Sequence, residues 1–532
     1  MVLRVAVAAA VLGLAVGARA ESVRQDFSGA GTPYVLSRHG AGPGAVVTAG
    51  ALRLIDDEED QSNAVTFSRC AVGAREVVRA SWSLSVTPGG NGMSFALLNT
   101  AEYGLDGAAP SGIAWDEPKL KRSLAVAFDI LDQPNNDPFR GDGNIYNRPQ
   151  REIALFYDGR EIARKLSPVE FRTGKPVPVT VEVRAVCGGC EVTVTVAGTR
   201  VYDRHLVANL EPYESRAAFG AQSGKYWTTL AIDDVRVDWG GRVRRRRPPT
   251  TVRAIDGVVL DAARGTHAET VRFPDNTDGF GRIICTLTLG EPPAGYDPWD
   301  RCASVYAYDE AGAKFEIVRF ITPYRRGFTW LVDVTDYRPL LTGTRKVEAS
   351  IGTYGPGWKV TVDFTFHPGR AERLARKIET LWVGRPEIGN PDKPVAEFYR
   401  PVTLTPDRKW RGAKLRIYVT GHGMSPNSRN AAEFMPITRW VTVNGKRFEN
   451  RLWKTDCYLN PCRPQGGTWK YDRAGWAPGD VVPPWEVDLT PAVRSGRPIA
   501  LTYELEPYLN ENRGKTTPPT HWTEAQVVWY AK

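Results

Sequence analysis

The sequence predicts an all-β protein made of several antiparallel sandwiches. Val177, Val179, Val181 and Val183 alternate with polar or proline positions, and after Gly188-Gly189 the alternation resumes at Val192, Val194 and Val196. Successive side chains of a strand point to opposite faces, so this pattern reads as a β-hairpin with one buried face. Lys359–Phe366, Ala413–Thr420 and Arg439–Asn444 alternate in the same way. Gly, Pro, Asn and Asp punctuate the chain between these runs, which is the spacing of sandwiches rather than of helix–strand units. Helical spacing is scarce. Ala371–Ile378 is the one short stretch that predicts a helix.

A chain of 532 residues is too long for one core. Its 42% hydrophobic and 24% charged content is that of a globular protein, not a disordered one. The clearest break is an arginine run, Arg242 with Arg244, Arg245, Arg246 and Arg247, followed at once by Pro248-Pro249. No helical period surrounds this run, so it reads as a solvated linker and not as a patch for nucleic acid or membrane. A weaker break lies near 368–395, where charged residues accompany Pro391 and Pro394. The expected units are 21–240, a linker at 241–252, then 253–370 and 371–532.

Residues 1–20 read as a signal peptide. Arg4 precedes an apolar stretch from Val5 to Gly17, and Ala18-Arg19-Ala20 fits a small-x-small cleavage site before Glu21. The stretch is too short to span a bilayer, and the expected location is secreted or periplasmic, with no membrane span. Export permits disulfides. Of the seven cysteines, Cys187 and Cys190 are expected to close a tight turn, Cys457 and Cys462 a loop, and Cys285 and Cys302 a hairpin, leaving Cys70 over. A zinc site at Cys187 and Cys190 would need a second ligand pair nearby, and none stands there.

Residues 21–240 resemble an L-type lectin domain of the concanavalin A-like kind. The resemblance rests on Asn91-Gly92-Met93-Ser94-Phe95-Ala96-Leu97, on Ala125-Val126-Ala127-Phe128-Asp129 followed by Asn135, Asn136 and Asp137, on Phe219-Gly220-Ala221-Gln222-Ser223-Gly224, and on Ile232–Trp239. It implies carbohydrate binding and a calcium loop, with Asp129, Asn135 and Asp137 supplying hard oxygen ligands. Two positions depart from the pattern: Ala127 stands where a second metal site has an acid, and Asn91 where the sugar-binding acid stands. A glycan-binding domain and a sandwich that kept only the fold both remain open.

Residues 270–530 resemble the peptide-N-glycosidase F family. In the first half the matching blocks are Phe273-Pro274, Trp299-Asp300-Arg301, Val305-Tyr306, Arg319–Tyr324, Asp333–Asp336, Leu340-Leu341 with Gly343, and Val362-Asp363-Phe364. In the second they are Thr420-Gly421-His422-Gly423, Ala432-Glu433, Asn444, and Asp472–Trp476 with Pro478-Gly479. The blocks keep the family's order and spacing. The resemblance implies two jelly-roll sandwiches side by side with a cleft between them, and an amidohydrolase that releases N-glycans from glycoproteins or glycopeptides.

The reaction needs an activated water and a stabilised leaving nitrogen. The resemblance puts the base or nucleophile on Asp300, and on Glu433 the acid that binds and polarises the glycosylated asparagine. Arg473 would donate to the carbonyl oxygen, Trp299 would shield Asp300, and Arg301 would hold its charge or contact substrate. His422, Trp476 and Tyr354 complete the expected substrate-binding set. No metal or organic cofactor is expected for catalysis. The family's further strand glutamate is replaced by Gly352, and Tyr354 stands for its tryptophan. That departure keeps a binding-only protein in view. A glycoside hydrolase using Asp300 and Glu433 is the third reading, and it would require carboxyl groups about 5–5.5 Å or about 6.5–9.5 Å apart. The six histidines show no paired spacing, which speaks against a copper site.

Overall fold

The computed structural model describes residues 21–89, 91–114, 117–130, 151–243, 247–423, 432–494, 496–511 and 517–531. Residues 1–20, expected to be a signal peptide, three residues of the arginine run (Arg244, Arg245 and Arg246) and the expected calcium-loop residues Asn135, Asn136 and Asp137 lie outside them. Among the described residues the chain is almost wholly antiparallel β, arranged as three pairs of sheets.

The first pair is a sandwich of eight and seven strands. The valine alternation places Val177, Val179, Val181 and Val183 of the strand Val177–Val186 against Val192, Val194 and Val196 of the strand Gly189–Val196, all in one core with Trp82, Phe95, Phe128 and Phe219. Three of the four lectin-like blocks meet at one end of the seven-stranded sheet, where Gly92 lies opposite both Asp129 and Gln222, and the fourth, Ile232–Trp239, lies in the eight-stranded sheet.

The second pair joins a four-stranded sheet, built on Phe280–Gly290 and Trp358–Pro368, to a five-stranded sheet that contains Cys302–Tyr308 and Lys314–Ile321. The third pair contains Gly412–His422 and Thr520–Ala531 in one sheet and Ile437–Val443 in the other. The second and third pairs are stitched together. The short strand Asp480–Val482, far along the chain, hydrogen-bonds to Lys314–Ile321. Beside it Gln526 Nε2 donates to the Glu316 carbonyl at 2.9 Å, the Glu316 amide donates to Glu524 Oε1 at 2.7 Å, and Tyr337 donates to Gln526 Oε1 at 2.8 Å. These buried bonds are satisfied on both sides, so the seam between the two sandwiches is fixed.

The stretch expected to be helical is a strand, Leu374–Gly384. Register shifts between Ala375 and Lys377 and between Thr380 and Val383 bury Ala375, Ile378 and Trp382, which stand three and four residues apart. Bulges insert an extra residue and turn a two-residue period into one that imitates a helix. The disulfides are also corrected: all seven cysteines are described and none is disulfide-bonded. Cys285 is buried in the core of the four-stranded sheet, whereas Cys302 belongs to the opposite sheet. Cys190 points inward to the Leu210 carbonyl, while Cys187 points away to that of His367.

Candidate active site

Asp300 ends the loop that leads into the strand Cys302–Tyr308. The loop is shaped by a residue the sequence reading missed, Asp297, whose side chain is fully buried. Asp297 accepts the Trp299 amide at 2.9 Å, the Arg301 guanidinium at 3.1 and 3.3 Å, and the Thr353 hydroxyl. The Arg301 amide donates to Thr322 Oγ1 at 2.8 Å, and its carbonyl accepts the Thr322 amide at 3.0 Å. With both neighbours tied down, the Asp300 side chain is held at the seam. A turn aspartate four residues before an arginine is the only sequence signal that Asp297 offered.

Glu433 comes from the other sandwich, on the short turn Ala432–Phe434. Arg473 lies between the two acids, its side chain fully buried. Its Nη1 is 3.5 Å from Asp300 Oδ2 and its Nε is 3.8 Å from Glu433 Oε1. Its Nη2 donates to the Thr468 carbonyl at 2.7 Å and to the Thr468 hydroxyl. The guanidinium also lies 4.6 Å from the Trp476 ring centre and 5.1 Å from that of Phe434. One buried cation thus faces two carboxylates, each with only about a sixth of its side chain exposed (16% and 15%).

That arrangement drives one carboxyl toward its neutral form. Burial, joined by the like charge of Asp300 and opposed by Arg473, pushes Glu433 up to about 7. Tyr324 is a second residue the reading did not single out, although its stretch was among the matching blocks. Its hydroxyl is 3.3 Å from Thr468 Oγ1, and burial and the neighbouring Asp300 push it up to about 12, so it remains a hydrogen-bond donor at neutral pH.

The other expected site residues fall into two groups. Trp299 and Tyr354 are exposed, at 59% and 87%, and the Arg301 guanidinium lies 5.4 Å from the Tyr354 ring. Arg301 pairs with Asp297 rather than with Asp300; Arg473 is the cation beside Asp300. Trp476 is buried behind Arg473, donates to the Gly421 carbonyl at 2.8 Å and stacks on His422 at 5.3 Å. His422 also meets Cys302 Sγ at 3.3 Å, and burial with nearby arginines holds it well below its usual range, hence neutral. It supports the floor of the cleft beneath Trp476. Gly352 lies exposed beside Cys302, and a Cβ there would meet only the Cys302 carbonyl, at 3.7 Å.

In the N-terminal sandwich Asp129 Oδ2 is 2.6 Å from Nη1 of the fully buried Arg164. Arg164 also pairs with Glu152 and Glu161, and the other expected calcium ligands, Asn135 and Asp137, lie outside the described residues.

Two acids from neighbouring β-sandwiches around one buried arginine define a double-sandwich protein with an acid–guanidinium cleft. Comparison with known proteins shows what the chain is similar to. Residues 392–522 match the family described as peptide-N-glycosidase F, C terminal. Peptide-N(4)-(N-acetyl-β-D-glucosaminyl)asparagine amidase F of Elizabethkingia miricola is 29% identical over 256 residues, spanning 45% of this chain and 72% of its own length. The solved PNGase F, a glycosylasparaginase from Flavobacterium meningosepticum, is 24% identical with a TM-score of 0.48, over 54% of this chain and 96% of that one. The calcium-bound exoplasmic/lumenal domain of VIP36 is 14% identical with a TM-score of 0.31, over 42% of this chain and 92% of that one. The C-terminal half of this chain is similar to peptide-N-glycosidase F, in keeping with its ordered sequence blocks.

Proposed function

We propose that this protein is an exported peptide-N-glycosidase that hydrolyses the amide between an asparagine side chain and N-acetylglucosamine. The observation that carries the reading is the convergence of Asp300, Glu433 and Arg473, with Glu433 poised near neutrality. In this reading Asp300 takes a proton from water, whose oxygen attacks the amide carbonyl. The protonated Glu433 donates to the amide, and Arg473 supports the charge that develops as the C–N bond breaks. The products are aspartate and a glycosylamine, which loses ammonia. The chemistry asks for no metal or organic cofactor. Trp299 and Tyr354 offer exposed rings for a sugar face, and N-glycosylated proteins or peptides are the substrates.

The test is mass spectrometry of a glycopeptide after incubation with the protein. The expected result is conversion of Asn to Asp with release of intact glycan, reduced at least about 10²-fold in Asp300→Asn. No conversion at any pH would refute the reading. Gly352, in place of the family's acid, favours a second reading, a carbohydrate-binding protein without catalysis. Glycan binding that persists in Asp300→Asn, with no release by the unaltered protein, would select it.

A further inference from the structure

A buried ionic cluster joins the N-terminal sandwich to the active-site loop. Arg164, fully buried, contacts Asp129 at 2.6 Å, Glu152 at 3.0 Å and Glu161 at 2.9 Å. A fifth member comes from about 300 residues further on: Arg463 lies 3.3 Å from Glu161 and 3.6 Å from Glu152. Three carboxylates and two guanidinium groups therefore share one site, and all but Asp129 and Arg463 are nearly closed to solvent. A cluster of this kind contributes little net stability compared with apolar packing, so what it specifies is geometry. Next to it a cavity of about 320 Å³, lined among others by His205, Phe328, Lys454 and Asp480, separates the sandwiches. In this stretch Arg463 spans the gap.

From Arg463 the chain runs directly to the catalytic centre. The Pro464 carbonyl accepts Arg326 Nη1 at 2.7 Å. Gln465, 3% exposed, accepts the Tyr324 amide at 3.1 Å and donates to the Pro478 carbonyl at 2.8 Å. Gly467 adopts φ +63°, and a Cβ there would stand 2.7 Å from the Tyr324 ring, so the backbone must pack directly on that ring. Thr468, five residues from Arg463, then holds Arg473 through its carbonyl and hydroxyl and meets the Tyr324 hydroxyl.

We propose that Arg463 is a positioning residue, through which the N-terminal sandwich fixes the loop that sets Arg473 and Tyr324 against Asp300. The inference rests on the proposed hydrolysis at Asp300. It gives the N-terminal sandwich a role in turnover that is separate from any glycan binding.

The experiment uses the full chain with Arg463→Met, Arg463→Lys and Glu161→Gln. A slight misplacement of a catalytic group costs roughly 10–100-fold in rate. Arg463→Met is therefore expected to lower kcat by roughly 10–100-fold with KM within about twofold. Arg463→Lys recovers part of the loss, and Glu161→Gln gives a smaller loss. Because Arg473 holds the Glu433 value down, loosening the loop should move the alkaline limb of the pH–rate profile upward. Hydrogen exchange across residues 464–473 should quicken in the same variants. A loss of folded protein alone would move neither the limb nor the exchange of the remaining native molecules. If both match the unaltered protein, the proposal is overturned. If the unaltered protein releases no glycan, the proposed function fails, and the exchange rates alone still decide whether Arg463 holds the loop.

Discussion

Replacing Glu433 by Gln isolates the group on which the proposed chemistry turns. Burial and Asp300 move this carboxyl from 4.5 to about 7, and its side chain is only 15% exposed. At about 1.4 kcal/mol per pH unit, the folded protein disfavours the ionised form by about 3 kcal/mol. The sign follows from linkage. The folded state keeps the proton more tightly than the unfolded chain, so the associated stability is present below 4.5 and lost as pH rises through about 7. Glutamine never ionises and escapes that loss. The Gln variant should therefore gain about 3 kcal/mol on the unaltered protein between about pH 4 and about pH 8. Glu524, pushed up to about 7 by burial and by Glu316, titrates in both proteins and cancels from the difference. Calorimetry at several pH values measures the effect, at about 2–4 °C in Tm per kcal/mol for a unit of this size. A Tm difference that does not change with pH would refute the assignment of Glu433 as the group that titrates near neutrality. In the glycopeptide assay the unaltered protein should lose activity as pH rises through about 7. The Gln variant should be slower by about 10²-fold, because an amide donates a hydrogen bond but cannot give up its proton, and its alkaline limb should be flat.

Two further outcomes test the edges of the cleft. Gly352→Glu restores the family's acid where a Cβ meets nothing closer than 3.7 Å; the variant should fold normally and turn over up to about tenfold faster, with kcat as the measurement and an unchanged kcat as the refutation. Tyr354→Ala removes a ring that is 87% exposed, so stability should hold while KM for glycopeptide rises roughly 2–10-fold, the value of one aromatic contact.

What could be read in the sequence was what repeats or keeps order. Valines at alternate positions announced the sheets, because burial on one face of a strand imposes a period of two. Asp300, Glu433 and Arg473 could be named together because they stand in blocks that keep family order, although nothing local links residues 173 positions apart. The misreadings came from interactions that leave no local trace. Two bulges gave Leu374–Gly384 a helical spacing. Proximity in sequence suggested disulfides for Cys187 and Cys190, whose side chains point apart, and for Cys285 and Cys302, which lie in opposite sheets. Arg301 looked like the partner of Asp300 because it is adjacent, but its true partner, Asp297, is four residues back and fully buried.

The division of labour between the two arginines follows from that geometry. Arg301 is spent on shaping the loop: it closes on a fully buried acid and lies near the exposed Tyr354 ring, on the side where a sugar would arrive. Among the described residues Arg473 is the cation that faces both cleft carboxylates, and one guanidinium cannot fully compensate two buried charges. Burial and the neighbouring Asp300 push Glu433 up to about 7, toward its neutral form. An acid and a base can then coexist at neutral pH in one small cleft, provided that Arg473 is not free to follow either of them. Thr468 and the stacked pair of Trp476 and His422 prevent that movement from the side of the third pair of sheets, and Arg463 extends the restraint to the N-terminal sandwich. Burial, opposed by a cation held from several sides, is what sets Glu433 near neutrality.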